Sequence, residues 1–270
     1  MEKSIQDNAE WLSRYDNRQE ILQLTNLEVV HNLQDKQNIN VIDIGCGNGR
    51  SIKLVHQLFP FATIRAVDRI KENIEYAQEH LSVINANMVC SNIFDYLLSD
   101  VYSYDLALFS WSFFDMVNID DHVEKTKELE LLLNYVLDHL NYGGVILVLQ
   151  PTKGGMFEKL LSLFIPTSDE DYLFTHHFLL SHGFVGPKDS MPDKSESLAI
   201  WSEFLCFEDD DLFRGISSIL KLETGKILTR HKFNSIMKEF RKIYELTDGR
   251  PFALSDCVNI YYKKKESVNV

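Results

Sequence analysis

Two kinds of hydrophobic pattern alternate along the first half of the chain. Short apolar runs that end in glycine or polar residues predict buried strands, and between them apolar residues recur every three or four positions, which is typical of helices. The predicted strands span residues 38–44, 63–67, 88–90, 104–109 and 145–149, and the predicted helices span 51–58, 71–80 and 121–140. This alternation favours a parallel sheet with helices on both faces. Ligands of such sheets bind beyond the carboxyl ends of the strands.

Further helical patterns flank this alternating core. Apolar positions at helical spacing predict one or two helices within residues 5–33. After Pro151 the pattern predicts helices at 156–164, 170–182, 210–222 and 229–244, with strands at 198–207 and 255–262. Because no linker of Pro, Gly and Ser or internal repeat interrupts the chain, we expect one domain over residues 1–270.

Net charge and cysteine spacing argue against several classes of protein. The formal charge is −13 at pH 7 and the pI is about 5.1, which disfavours nucleic acid and anionic membranes because both attract Lys and Arg. No apolar run approaches the roughly 20 residues that span a bilayer, and no signal peptide is evident, so we expect a cytoplasmic protein without a membrane partner. The cysteines are too widely spaced for a zinc or redox motif, and no metal is predicted.

The most specific motif is the run from Val41 to Gly49, with the sequence VIDIGCGNG. Its three glycines stand at alternate positions directly after a predicted strand and before a predicted helix. Such a turn lets backbone approach a ligand closely because no Cβ is in the way. A dinucleotide fingerprint needs a small residue one position further on, where this chain has Arg50. A pyrophosphate site is therefore disfavoured.

This run resembles motif I of class I S-adenosylmethionine-dependent methyltransferases, with the acidic residue Asp43 two positions before the first glycine. The resemblance covers residues 39–150 and implies a doubly wound, mostly parallel seven-stranded sheet. It also implies S-adenosyl-L-methionine as cofactor and S-adenosyl-L-homocysteine as product. The implied cofactor-binding residues are Asp43, Gly45, Cys46, Gly47, Gly49, Asp68, Arg69, Asn92, Ile93 and Ser110.

The resemblance also suggests a role for each strand end. Asp43 orients the glycine loop, and Asp68 at the end of the second strand accepts hydrogen bonds from the ribose hydroxyls. Arg69 flanks the adenine, Asn92 meets its amino group and Ile93 packs on the ring. The backbone carbonyl of Ser110 faces the ammonium group. Alternatives remain open, because Asp68 is equally suited to cap a helix, and Asn92 and Ser110 are common turn residues.

The class implies a division of the chain by function. We expect an N-terminal helical cap (1–35), a cofactor-binding core (39–150), a helical insertion forming a substrate lid after the fifth strand (151–200), and C-terminal strands and helices (201–270). Residues 147–161 and 201–207 are loosely similar to histamine N-methyltransferases. The candidate acceptor-binding residues are Tyr15, Glu20, Trp111, Phe114 and Phe157.

These residues predict methyl transfer to N or O of a small molecule, and an amine would suit the negative charge of the chain. Glu20 is the candidate partner of a cationic acceptor. His176 and His177 are candidates for a base or a weak metal ligand, with surface positions on a lid helix as the alternative. No catalytic residue is assigned, because an activated methyl group needs mainly an aligned nucleophile. A protein or RNA methyltransferase, or a cofactor-binding homologue without methyl transfer, remain alternatives, and the oligomeric state is not assigned.

Overall fold

The seven strands of the protein form one sheet in the order β3-β2-β1-β4-β5-β7-β6. A computed structural model describes residues 18–117, 119, 121–152, 155–164, 169–189, 198–247, 250 and 252–266. The strands are β1 (Asn40–Ile44), β2 (Thr63–Asp68), β3 (Ala86–Cys90), β4 (Tyr104–Ser110), β5 (Leu140–Pro151), β6 (Ala199–Phe207) and β7 (Phe252–Lys264). Strands β1 to β5 pair in parallel, and β7 runs antiparallel between β5 and β6. The predicted mostly parallel, seven-stranded sheet is confirmed.

Helices cover both faces of the sheet. They are α1 (Arg18–Thr25), α2 (Glu28–Gln34), α3 (Arg50–Leu58), α4 (Lys71–His80), α5 (Ile93–Ser99), α6 (His122–His139), α7 (Met156–Ser162), α8 (Asp169–Ser181), α9 (Asp209–Thr224) and α10 (Arg230–Ile243). Buried residues of α1 to α4 form one core with the sheet, and those of α5, α6 and α8 form a second core on the opposite face. This arrangement is the doubly wound architecture that the alternating pattern predicts.

Strand β4 lies in the middle of the sheet, and its sequence from Leu106 to Phe109 is a continuous apolar run rather than an alternation of apolar and polar residues. Every residue of β4 is buried, because helices shield both of its faces.

Side-chain hydrogen bonds cap helices that follow the strands. The side chain of Asp121 accepts hydrogen bonds from the backbone N–H groups of Val123 and Glu124 at the start of α6. Because β1, β2 and β4 run parallel to one another, their carboxyl ends lie at the same edge of the sheet.

A third cluster of buried residues forms a core distinct from the two described above and was not expected from the sequence. Buried residues of α7, α9 and α10, with the first residues of β7, form this core, and we call these three helices the C-terminal helical subdomain. Trp111 and Met156 pack against it. The predicted lid at 151–200 is therefore divided, because α7 joins the subdomain whereas α8 packs on the sheet.

The N-terminal helices are part of the core. Leu24 of α1 and Leu33 of α2 are almost fully buried against the sheet face that also carries α3 and α4. Residues 1–17 of the predicted cap, including Tyr15, lie outside the described residues. Among the described helices, none has the length and apolar character that crossing a bilayer requires.

Candidate cofactor and acceptor site

The glycine loop between β1 and α3 is shaped by three residues in the left-handed region. Gly45, Gly47 and Gly49 have φ angles of 73°, 52° and 89°, which side chains rarely adopt. A Cβ at Gly45 would lie 2.5 Å from the Cβ of Ser112, and one at Gly49 would lie 2.4 Å from Cδ1 of Leu81. A Cβ at Gly47 would meet no atom within 4 Å. Gly45 and Gly49 therefore permit close packing, whereas the Cβ position of Gly47 faces open space.

Asp68 holds this loop from the end of the neighbouring strand. Its Oδ2 accepts a 2.8 Å hydrogen bond from the N–H of Gly47, and its Oδ1 accepts one of 2.8 Å from the N–H of Ile70. Asp68 does not cap α4, since the N-cap residue of that helix is Ile70. Each carboxylate oxygen has a further lone pair. The carboxylate can thus accept hydrogen bonds from ribose hydroxyls without releasing the loop.

Asp43 presents an unsatisfied acceptor beneath the loop. Its side chain is fully buried, and its Oδ2 accepts a 2.6 Å hydrogen bond from the hydroxyl of Ser51. Within the described part of the chain, Oδ1 has no hydrogen-bond partner. Burial raises the pKa of Asp43 to about 7, against the lowering effects of the Ser51 hydroxyl and the Arg50 charge. Because buried polar atoms are normally paired, this oxygen fits a ligand that donates a hydrogen bond or carries an ammonium group.

The residues predicted to meet the adenine lie at the adjacent strand ends. Arg69 is exposed directly after Asp68. Asn92 is exposed, and its Oδ1 accepts a 2.8 Å hydrogen bond from the N–H of Phe94, so it caps α5. Ile93 is almost buried in the second core. The structure therefore shows Asn92 as the N-cap of α5, a role that the sequence did not predict, and the adenine contacts stay predictions.

Cys46 lies inside the glycine loop, with its thiol turned into the core. Its side chain is almost fully buried, and its Sγ lies 3.8 Å from the carbonyl oxygen of Gly47. Burial and the nearby carboxylates of Asp43 and Asp68 raise the pKa of this thiol. Cys46 is consequently an uncharged packing residue of the loop.

Arg50 brings the glycine loop, the N-terminal helix and the end of β4 together. Its guanidinium donates to both carboxylate oxygens of Glu20, at 3.1 and 3.2 Å, and to the hydroxyl of Ser110 at 2.8 Å. The same group lies 4.5 Å from the centroid of the Trp111 ring. In the sequence, the position of Arg50 only disfavours a dinucleotide site and does not indicate these contacts. One feature of the sequence could nevertheless have indicated an ion pair. A cation in the first turn of a helix is unfavourable beside the positive end of the helix dipole, so an anionic partner near Arg50 is expected.

The prediction that Glu20 pairs with a cationic acceptor requires correction. Glu20 is fully buried, and its carboxylate already has a cationic partner in Arg50. Burial raises the pKa of Glu20, and the charge and hydrogen bonds of Arg50 oppose that shift. Glu20 therefore neutralises a charge of the chain itself.

Trp111 follows β4 with a strained backbone and joins two cores. Its φ angle is 60°, and its N–H donates a 2.8 Å hydrogen bond to the carbonyl of Leu149 in β5. The side chain packs against both the core under α1 to α4 and the C-terminal helical subdomain. A residue other than glycine in this conformation persists only when its surroundings hold it, and such residues cluster at functional sites.

The other predicted acceptor residues are placed differently. Phe114 packs between the ammonium of Lys125, 3.2 Å from the ring centroid, and the ring of Phe174 in α8, with centroids 6.1 Å apart. The side chain of Phe157 is outside the described residues. Of the predicted acceptor set, Glu20 and Trp111 are thus brought together at the glycine loop.

His176 is a buried residue of the sheet packing, which corrects the expectation of a surface histidine on a lid. It is 4% exposed, and its Nδ1 lies 3.0 Å from the hydroxyl of Tyr261 in β7. Burial lowers the pKa of His176. The neutral imidazole therefore helps to fix α8 to the sheet.

Gln150 is a candidate that sequence analysis missed. It ends the apolar run of β5, one position beyond Leu149, whose carbonyl binds Trp111. Its side-chain Oε1 is buried and has no hydrogen-bond partner among the described residues. A polar residue at the carboxyl end of an apolar strand was the available signal, because ligands bind at that edge. Gln150 offers an acceptor for a substrate O–H or N–H group.

The sheet order, the glycine loop and the two strand-end carboxylates define a Rossmann-like protein of the class I methyltransferase type. Comparison with known families agrees, because a model described as a methyltransferase domain matches residues 35–174. The chain belongs to this methyltransferase domain family. It is an S-adenosylmethionine-dependent methyltransferase enzyme.

Curated relatives and solved structures extend the comparison. The chain is 26% identical over 222 residues to malonyl-[acyl-carrier protein] O-methyltransferase 2 of Ilyobacter polytropus, covering 78% of each chain. It is 30% identical over 106 residues to malonyl-[acyl-carrier protein] O-methyltransferase of Acetivibrio thermocellus, covering 38% of this chain and 37% of the relative.

Two solved structures share the fold at 15% identity. One is assigned as a type II methyltransferase from Anaeromyxobacter dehalogenans, with a TM-score of 0.55, covering 88% of this chain and 94% of that one. The other is the plantazolicin methyltransferase BpumL in complex with S-adenosylhomocysteine, with a TM-score of 0.50, covering 98% and 95%. At this identity the likeness concerns the fold.

Proposed function

We propose that the chain transfers the methyl group of S-adenosylmethionine to a nitrogen or oxygen atom of a small-molecule acceptor in the cytoplasm. The donor would lie over the open side of Gly47, where a Cβ would meet nothing within 4 Å. Asp68 would bind the ribose hydroxyls, and the unpaired Oδ1 of Asp43 would face the ammonium end. Arg69, Asn92 and Ile93 would surround the adenine, as the resemblance implies.

One observation carries the assignment of the acceptor side. Trp111 leaves β4 beside the donor loop and packs against the C-terminal helical subdomain, whose buried side chains are apolar. An acceptor at this junction would be enclosed by hydrophobic side chains, as small-molecule sites usually are. The net charge of −13 also supports a small acceptor over a nucleic acid.

Methyl transfer mainly requires the protein to align the acceptor atom with the methyl group of the donor. When bound, S-adenosylmethionine supplies a methyl group that its positively charged sulfur has already activated for displacement. The residues of the chain would hold the two reactants in line and exclude water, which is catalysis by proximity. The free Oε1 of Gln150 would accept a hydrogen bond from an acceptor O–H or N–H group. A general base is needed only for an acceptor that arrives protonated.

An amine acceptor has less support than other small molecules. Its expected anionic partner, the carboxylate of Glu20, is already paired with Arg50. A second candidate is a carboxyl group carried on an acyl-carrier protein. It is favoured by the names of the relatives, one of which aligns over 78% of this chain. A carboxylate acceptor is deprotonated at neutral pH and would need no base.

The test is transfer of label from methyl-labelled S-adenosylmethionine, followed by mass spectrometry. One sample contains a small-molecule extract, a second contains malonyl-loaded acyl-carrier protein, and a third contains total protein and RNA. The Gly47→Val variant is the matched inactive control. Label on small molecules supports the proposal, and label on the carrier-bound carboxylate supports the second candidate. Label on other proteins or RNA, or no label in any sample, contradicts both.

A further inference from the structure

The guanidinium of Arg50 connects the donor side of the proposed site to its acceptor side. Arg50 opens α3 immediately after the glycine loop, and its guanidinium lies 4.5 Å from the centroid of the Trp111 ring. Trp111 in turn packs against the C-terminal helical subdomain. Arg50 and Trp111 therefore provide a short physical path between the two.

Glu20, Ser110 and Trp111 are described neighbours that fix the orientation of the Arg50 guanidinium. Glu20 of α1 binds it through both carboxylate oxygens, Ser110 accepts a hydrogen bond of 2.8 Å, and Trp111 lies against it. The side chain of Arg50 is 11% exposed and that of Glu20 is fully buried. Because the guanidinium is planar and its N–H groups point in fixed directions, these contacts set its angle to the indole as well as its position.

The backbone of Trp111 explains why such support is needed. Its φ angle of 60° is one that a residue with a side chain rarely adopts. The hydrogen bond from its N–H to Leu149 fixes the chain after β4, but it does not fix the ring. The Arg50 guanidinium is a charged group that lies against the indole. A change in the glycine loop would move Arg50 and, with it, the ring.

We infer that Arg50 is a positioning residue that acts through Trp111 and couples occupation of the donor loop to the acceptor side. Its effect on turnover rests on the proposed function. In Arg50→Lys the charge facing Glu20 is kept but the planar group is lost. With the identified acceptor, kcat of Arg50→Lys should fall about tenfold or more, since small misplacements near reacting groups cost this much, while the donor KM should change less than about threefold.

The coupling itself is measurable with S-adenosylhomocysteine alone, without any acceptor. The chain has three tryptophans, so full-length protein with Trp11→Phe and Trp201→Phe reports on Trp111. Titration with S-adenosylhomocysteine should shift the Trp111 emission. Arg50→Lys should still bind the ligand by calorimetry, with the emission response at least about halved, and Ser110→Ala should give a smaller reduction. The matched control is Arg65→Lys, a buried arginine 3.3 Å from the Tyr102 ring, which should leave the response unchanged.

Four outcomes overturn the inference. They are an unchanged emission response in Arg50→Lys, no response in the parent protein, a loss equal to that of Arg50→Lys in the Arg65→Lys control, and loss of ligand binding in Arg50→Lys, which would make Arg50 a direct donor ligand. If Arg50→Lys does not fold, the Trp111 emission response of Ser110→Ala is used in its place, and an unchanged response in that variant overturns the inference. Failure of methyl transfer with every acceptor would contradict the proposed function and leave this titration valid.

Discussion

The proposed donor side and the proposed acceptor side of this enzyme are assembled over different distances in the sequence. On the donor side, Ser51 binds Asp43 across 8 positions and Gly47 binds Asp68 across 21. Between the two sides, Arg50 reaches Ser110 across 60 positions, and on the acceptor side the C-terminal helical subdomain joins α7 to α9, α10 and β7. The donor side is thus encoded by one local strand, loop and helix unit with its neighbour, whereas the acceptor side depends on tertiary packing.

This difference separates two ways of losing function. A change in the glycine loop should abolish donor binding and leave the helical subdomain intact. A change in the subdomain core should reduce acceptor turnover and leave donor binding intact. The following predictions test that separation, beginning with the largest expected effect.

Gly47→Val should remove detectable binding of S-adenosylhomocysteine. The residue has a φ angle of 52° and faces open space, so the substitution both strains the loop and fills the ligand side. Isothermal calorimetry measures the loss. Gly225→Val is the matched control, because Gly225 has a φ angle of 68°, also has no atom within 4 Å of its Cβ position, and ends α9. A measurable dissociation constant similar to that of the unaltered protein would remove the loop from the donor site.

Phe233→Ala should lower the free energy of unfolding by about 3–5 kcal/mol, the usual cost of truncating a buried aromatic residue. Phe233 is fully buried in α10, with ring centroids 5.3 Å from Phe213 and 5.8 Å from Phe164. At a temperature where the variant is folded, the dissociation constant of S-adenosylhomocysteine should change less than about twofold, because the substitution is confined to the subdomain. Chemical denaturation and calorimetry give both values. Donor affinity reduced more than tenfold would show that the two sides are not separable.

The same difference explains what could be predicted from the sequence. The glycine loop and Asp68 can be recognised as candidates from the sequence because their residue types and spacing are fixed by a local unit, and the mostly parallel seven-stranded sheet follows from the class. Helix α5 was missed although Asn92 is a good N-cap residue, because that asparagine had been assigned to the adenine. The ion pair between Glu20 and Arg50 was also missed, since nothing in the pattern of α1 indicates which element its buried carboxylate meets.

The division of the predicted lid has a similar physical cause. Helices α7 and α8 follow each other in the chain, and both carry apolar residues. Leu160 of α7 packs in the subdomain, whereas Leu179 of α8 packs on the sheet. Hydrophobic periodicity shows that a helix has a buried face, but it does not show which surface covers that face.

Asp43 should make the stability of the free protein fall as the pH rises. Its pKa is raised to about 7 in the folded chain from 3.8, so between these values the folded state binds more protons than the unfolded state. The free energy of unfolding then decreases with increasing pH across this interval and levels off above about pH 7. The contribution is roughly 4 kcal/mol.

Asp43→Asn keeps the shape and removes this titration, so its unfolding free energy should vary less between pH 4 and 7 by roughly that amount. Urea denaturation at several pH values measures the difference. The comparison variant is Asp105→Asn, since the pKa of Asp105 is lowered by Lys36 and its other partners and its contribution is lost as the pH falls. An Asp43→Asn profile that matches the unaltered protein would contradict the raised pKa.

Asp68→Ala should give the smallest of these effects and the most specific one. Loss of a hydrogen-bonded carboxylate should weaken S-adenosylhomocysteine binding by roughly 1.5–3 kcal/mol, the range for hydrogen bonds to charged groups. Part of that loss comes from the loop, because Asp68 also binds the N–H of Gly47. Asp68→Asn removes the charge facing the ribose, and its amide oxygen can keep the bond from the N–H of Gly47, although its NH2 group then replaces the acceptor of the Ile70 N–H. Calorimetry with S-adenosylhomocysteine and with its 2′-deoxyribose analogue measures how much binding free energy comes from the support of the loop and how much from the hydrogen bond to the 2′-hydroxyl. If Asp68→Ala loses the same binding energy for both ligands, the carboxylate supports the loop and does not bind the 2′-hydroxyl.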